Sequence, residues 1–211
     1  MSKFLITTFN SFFNFILLLS KKYSIDESHG IRHSMDVLQY ANNIYLSEKD
    51  KNPTLCNHQN IIYASALLHD MCDKKYVNEK DGIKEIELFL EDKLSNVEID
   101  ITKQIISRMS YSTVKKIGYP DLGEYQLAYH IVREADLLSA YDFDRCVIYN
   151  IHKLHGNFET AYVDSLNLFE NRVFKHIDDD LFVTDYSKNL AHHLHSTSIS
   201  RITSWKNLIK I

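Results

Sequence analysis

Two prolines and five glycines in 211 residues constrain this chain more than any other feature. A β-sandwich or barrel needs many tight turns, and glycine and proline are the residues that make such turns with least strain. With so few of them, long helices are the natural alternative. The apolar spacing agrees. Leu5, Thr8, Phe9, Phe12, Phe13, Ile16 and Leu19 share one face of a helix over about residues 3–22. After a polar loop from Asp26 to Gly30, Val37, Leu38, Ala41, Ile44 and Tyr45 predict a second helix over about 31–47. A loop holding Pro53 precedes a third, over about 58–69. The pattern continues with helices near 82–94, 99–110, 124–140, 145–155, 157–174 and 186–209, while 111–123, with Lys115, Lys116, Gly118 and Pro120, reads as a surface loop. Nothing alternates like a series of strands. The expectation is an all-α chain forming one domain over 1–211.

Charge and cysteine content narrow the functions. Lys and Arg number 24 against 28 Asp and Glu, with no basic stripe, which argues against nucleic acid as a partner. Three cysteines, Cys56, Cys72 and Cys146, are an odd number without metal-type spacing, so a reduced, intracellular (cytoplasmic) setting is expected. The apolar run from Phe4 to Leu19 follows Lys3 and has the look of a signal peptide or anchor. Thr7, Thr8, Asn10, Ser11 and Asn14 interrupt it, however, and no small-x-small cleavage site follows. A core helix is the expected reading and no membrane partner is expected; attachment to a membrane through residues 4–19 is the competing one.

Against this apolar background, four polar residues stand where burial is expected. His33 shares a stripe with Val37, Ala41 and Ile44. The pair His69-Asp70 ends the run Ile61 to Leu68, and Asp136 lies between Val132 and Ala140. One His-Asp pair is about what chance gives for this composition. Alone, each histidine reads as a satisfied core residue and each aspartate as a cap or ion-pair partner. Together, two imidazoles and two carboxylates on three apolar faces form a mixed N/O set suited to one divalent ion: Mn, Fe, Co, Ni, Zn or, less well, Mg. A cation there would offset the cost of burying the carboxylates.

The order His33, His69-Asp70, Asp136 resembles the HD-domain metal-dependent phosphohydrolase superfamily. Ser28-His29-Gly30-Ile31-Arg32-His33-Ser34-Met35-Asp36-Val37 is similar to the family's His-x-x-x-His-x-x-x-Val helix, whose second histidine is a ligand. Ala66-Leu67-Leu68-His69-Asp70 is similar to its apolar-His-Asp element, Ile105 to Tyr111 to its Ile-x-x-Ile-Ser-like helix, and Val132-Arg133-Glu134-Ala135-Asp136 to the segment carrying the last ligand. The resemblance runs from about residue 20 to 200. It implies a helical HD-domain fold, with a metal-site core at about 25–145 and C-terminal helices 146–211 packed on it. It also implies hydrolysis of phosphate esters or anhydrides of nucleotides or related small metabolites. The small stand-alone hydrolases are the subgroup most similar, but they often read Asp-Ala-Asp-Arg-Leu-Asp where this chain has Glu134-Ala135-Asp136-Leu137-Leu138-Ser139. Two-metal members need further histidines between the His-Asp pair and the last aspartate; only His130 falls there, which favours one metal.

The resemblance also implies roles around the metal. A divalent cation lowers the pKa of bound water and polarises a phosphoryl group. Asp73, three residues past Asp70, matches a carboxylate that serves some members as base or water-orienter, the alternative being a cap or a pair with Lys74 or Lys75. His29 is a candidate for closing the site or holding a water. Lys74, Lys75, Arg108 and Arg133 are the candidate phosphate contacts. Asp142 and Arg145 either line the mouth of the pocket or form a structural ion pair, and His192-His193-x-His195 reads as a helix surface. A module that senses nucleotides without turnover is the second functional reading, motivated by Leu137 and Ser139.

Overall fold

Asn78, Ser95, Ser110 and Asn157 each turn a side-chain oxygen to a backbone N–H in the first turn of the helix that follows. They satisfy donors that a helix cannot satisfy itself. Ser95 and Glu98 complete the arrangement reciprocally as a capping box. The computed structural model describes residues 3–153 and 156–209 and, among these, contains eleven α-helices and no strand. The all-α expectation holds.

Helix α1 (Lys3–Tyr23) buries Phe12, Ile16 and Leu19. Each such side chain contributes about 1.5–3 kcal/mol when removed from water, so this run is spent on the protein core. The side chain of Leu5 lies outside the described residues. No helix is long and apolar enough to cross a membrane among the residues described.

Helix α2 (Ile31–Glu48) buries His33, Val37, Ala41 and Ile44, the stripe read from the sequence. Helix α3 (Gln59–Leu68) is buried on most sides and tightens into a 3-10 turn over His69–Cys72. Helices α4 (Glu79–Leu90) and α5 (Asn96–Arg108) cover it. Within α4, a Cβ on Gly82 would stand 2.7 Å from the Cα of Cys72 and 3.1 Å from the carbonyl oxygen of Met71. Only glycine lets α4 approach the His-Asp turn this closely.

One expectation needs correction. Residues 111–123 are not wholly a loop: Tyr111–Ile117 forms a short helix, α6, capped by Ser110 and ended by Gly118 at φ 77°. The lysines, Gly118 and Pro120 signalled where the helix stops, and the serine cap that starts it was overlooked.

Helix α7 (Gln126–Ser139) is the centre of the molecule, packed on α2, α3 and the C-terminal helix. It is buried on nearly every side, so the polar side chains it carries need partners inside the protein. Its charged residues are individually compensated. Glu134, fully buried, accepts from the backbone N–H of Val183 at 2.6 Å and from the hydroxyl of Thr184 at 2.6 Å. Arg133 donates to the carbonyl of Leu181 at 2.6 Å. The chain continues through α8 (Phe143–Lys153) and α9 (Phe158–Leu168), a π-helical turn (Phe169–Val173), α10 (Lys175–Asp178) and the long α11 (Asp185–Ile209). Two apolar clusters result, one around α2, α7 and the C-terminal helices, the other under α1, α4 and α5. All three cysteines are free.

Candidate metal centre

The third residue of α2, the turn after α3 and the last turn of α7 meet at one point. The Nε2 atoms of His33 and His69 are 3.0 Å apart. Oδ2 of Asp70 lies 3.2 Å from the first and 3.3 Å from the second, and Oδ1 of Asp136 lies 3.5 and 3.7 Å from them. Two imidazole nitrogens this close require a proton or a cation between them. Ligand atoms held about 2.1 Å from one ion stand about 3.0 Å apart at right angles and about 3.4 Å apart in a tetrahedron. The separations among His33, His69 and Asp70 fall in that range, and those from Asp136 exceed it by 0.1–0.3 Å. Among the described residues, His33, His69 and Asp136 are the group whose ligand atoms all lie within 4.8 Å of one another. Asp70 is outside that group, although its Oδ2 stands within 3.3 Å of both imidazole nitrogens.

Hydrogen bonding supports the fit. His69 donates Nδ1–H to the carbonyl of Ala66 at 2.9 Å, which fixes the ring with Nε2 turned inward. Oδ2 of Asp70 is buried and accepts no hydrogen bond, with the two imidazole Nε2 atoms 3.2 and 3.3 Å away, so it relies on positive charge at this point, an imidazolium or a metal ion. Nδ1 of His33 is also buried and unpaired.

Electrostatics follow from the crowding. Burial alone would make His69 harder to protonate, but Asp70 and Asp136 hold the imidazolium and its pKa is pushed up to about 9. Burial works against ionising Asp70 as well. The imidazoles of His69 and His29, with the close approach of His33, outweigh it and keep the carboxyl well below the usual range. Asp136 is lowered against its own burial by His33 and His69.

The centre forms the floor of an open pocket of about 280 Å³. Asp73, Lys75 and His29 lie in its wall. Asp73 accepts from the backbone N–H of Lys75 at 2.9 Å and pairs with its ammonium at 3.2 Å. Lys75 also donates to Nε2 of His29 at 3.2 Å. Because that nitrogen accepts, the proton of neutral His29 sits on Nδ1, facing the hydroxyls of Ser28 at 2.7 Å and Tyr76 at 3.1 Å. Both hydroxyls donate to Asp26 and are left free to accept. Burial, helped by the charges of Lys75 and Arg145 and opposed by Asp70, lowers the His29 pKa to about 4.

Other residues singled out in the sequence stand elsewhere. Arg108 lines a different surface cleft, beside Asp121. Arg133 is buried, bonded to Leu181 and stacked over Tyr119 at 4.8 Å. Lys74 is exposed and outside the pocket wall. His130 faces Gln126 and Arg133, away from the centre. His192 and His193 are exposed on α11, and His195 stacks on Phe174 at 4.3 Å. Arg145 and Asp142 do line the pocket, and Arg145 bonds the carbonyl of Ser28 rather than a carboxylate. Sequence reasoning missed Tyr111, Arg172 and His176 in the same wall. They come from α6, the π-helical turn and α10, and no local pattern sets them apart from a solvated helix face. Comparison with protein-family models, with curated proteins and with solved structures finds no match.

Proposed function

We propose that this chain is a metal-dependent phosphohydrolase of the HD type, acting on a nucleotide or related small phosphorylated metabolite. The observation that carries the reading is the approach of carboxylate oxygens of Asp70 and Asp136 to the paired Nε2 atoms of His33 and His69, at 3.2–3.7 Å, with the two nitrogens 3.0 Å apart. These four residues would hold one divalent ion at the floor of a pocket open to small molecules. Bound there, the ion supplies Lewis acidity and a lowered pKa for water. The protein residues do the rest. Asp73, steadied by Lys75, is placed in the wall to orient a water or take its proton. His29, neutral at physiological pH, accepts a hydrogen bond through Nε2 and keeps Lys75 aimed at the pocket. Water and a phosphate ester or anhydride give the alcohol or shortened phosphate chain plus phosphate or pyrophosphate.

The test is a metal-by-substrate screen over nucleoside mono-, di- and triphosphates with products identified. Hydrolysis that needs a divalent ion, and that disappears with the bound ion in His69→Ala and Asp70→Ala, is the expected result. Full hydrolysis by variants shown to lack metal would overturn the assignment. Metal-loaded protein that binds nucleotides yet releases neither phosphate nor pyrophosphate would favour the sensing module instead.

A further inference from the structure

Among the described residues, two cations in the pocket wall form no ion pair with a carboxylate. Arg172, in the π-helical turn, holds its guanidinium 4.4 Å over the ring of Tyr111 and forms no ion pair among the described residues. Arg145, on α8, donates from Nη1 to the carbonyl of Ser28 at 2.9 Å, while its Nε is buried with no hydrogen-bond partner. The third wall cation, Lys75, is already engaged by Asp73. The charges can be counted. A divalent ion held by the proposed ligands would offset the charges of Asp70 and Asp136, and Asp73 offsets Lys75. That leaves exposed Asp142 as the one lining carboxylate against two guanidinium groups. The surplus is positive, close to the metal set, and includes a buried N–H without an acceptor. Such a wall attracts an anion.

We propose that Arg145 and Arg172 form a clamp for a dianionic phosphate group, so that the substrate presents a terminal phosphate rather than an internal diester; this rests on the phosphohydrolase reading of the adjoining centre. A guanidinium offers N–H groups in a fork that matches phosphate oxygens, and two guanidinium groups without carboxylate partners suit a doubly charged phosphate better than a singly charged diester. Tyr111 backs Arg172 without neutralising it. Arg145, by gripping Ser28, fixes the clamp to the segment that carries His29 and leads into His33.

Inorganic phosphate is the probe, titrated calorimetrically into full-length protein, both metal-loaded and metal-stripped, with metal content read separately by elemental analysis. Arg172→Gln should weaken phosphate binding about tenfold or more and leave metal content unchanged. Lys80→Gln, an exposed change of equal charge, should bind as the parent does. Arg145→Gln should act like Arg172→Gln; if losing the Ser28 contact unfolds it, the exposed Arg172 still decides the matter. Dimethyl phosphate, a monoanion, should bind the parent much more weakly than phosphate. Unchanged phosphate affinity in Arg172→Gln in both metal states overturns the clamp, as does a parent that holds metal but binds no phosphate. A parent that takes up no divalent metal defeats the phosphohydrolase reading instead, and the metal-stripped titration then judges the clamp by itself.

Discussion

At the scale of single residues, the ionisation of His69 makes a prediction about the metal. Without an ion its pKa is about 9, held up against burial by Asp70 and Asp136, so near pH 7 the ring carries a second proton. A ligand imidazole must give that proton up. Metal uptake at pH 7 should therefore release about one proton per ion, and affinity should climb with pH until about pH 9. Calorimetry in buffers of different ionisation enthalpy measures this, and uptake without proton release would contradict it. His176 carries the opposite lesson. It is fully buried and neither ring nitrogen finds a partner. Burial, with the nearby Arg172 charge, lowers its pKa to about 3. The folded value lies below the unfolded one near 6.5, so the contribution is whole above pH 6.5 and is lost as pH falls toward 3. At pH 5 the loss comes to about 2 kcal/mol. His176→Leu should flatten the decline of denaturant-measured stability between pH 6.5 and 4; an unchanged slope would remove His176 as its cause. The four proposed ligands were legible in the sequence because a charge on an apolar stripe is conspicuous. Arg172 and His176 were not, since nothing local distinguishes a pocket-facing arginine or histidine from a solvated one.

At the scale of elements, the His-Asp turn depends on its contact with α4. Gly82 meets Cys72 and Met71 so closely that a methyl group must push the two elements apart. Gly82→Ala should cost about 1–3 kcal/mol, the usual range for overpacking, despite the higher helix propensity of alanine. Because the displaced turn carries His69 and Asp70, metal affinity should fall with stability, although neither ligand is altered. A variant with parent-like stability and metal binding would show that the contact is looser than described. The long helices were readable from periodicity, although α4 and α5 begin about three residues earlier than expected, at their Asn78 and Ser95 caps. The short ones were not: α6 and α10 span too few residues for a repeat to show, and tertiary packing stabilises them.

At the scale of the whole molecule, the C-terminal helices are more than a cover for the proposed metal-site core. They supply one side of the pocket wall, and a buried polar lock fastens them to α7. Glu134 meets the backbone of Val183 and Thr184, and Arg133 meets Leu181. Arg133 thus acts as a fastener, where the sequence suggested a phosphate contact. Glu134→Ala would strand the buried N–H of Thr184, remove the acceptor of the part-buried N–H of Val183 and leave Arg133 without its nearest carboxylate, 3.5 Å away. A loss of about 3–5 kcal/mol is expected, and hydrogen exchange should show 181–184 opening first. Opening elsewhere first would place the weak point outside this lock. The fold and the lock both serve to hold four side chains from three elements around one point, and whether that point binds an ion is the central question. Elemental analysis of purified protein, after incubation with divalent ions and removal of the excess, answers it directly. The parent should retain about one ion per chain, and His33→Ala, His69→Ala and Asp136→Ala, each still helical by circular dichroism, should retain almost none. A parent that keeps no ion, or variants that keep as much as the parent, would contradict the metal centre.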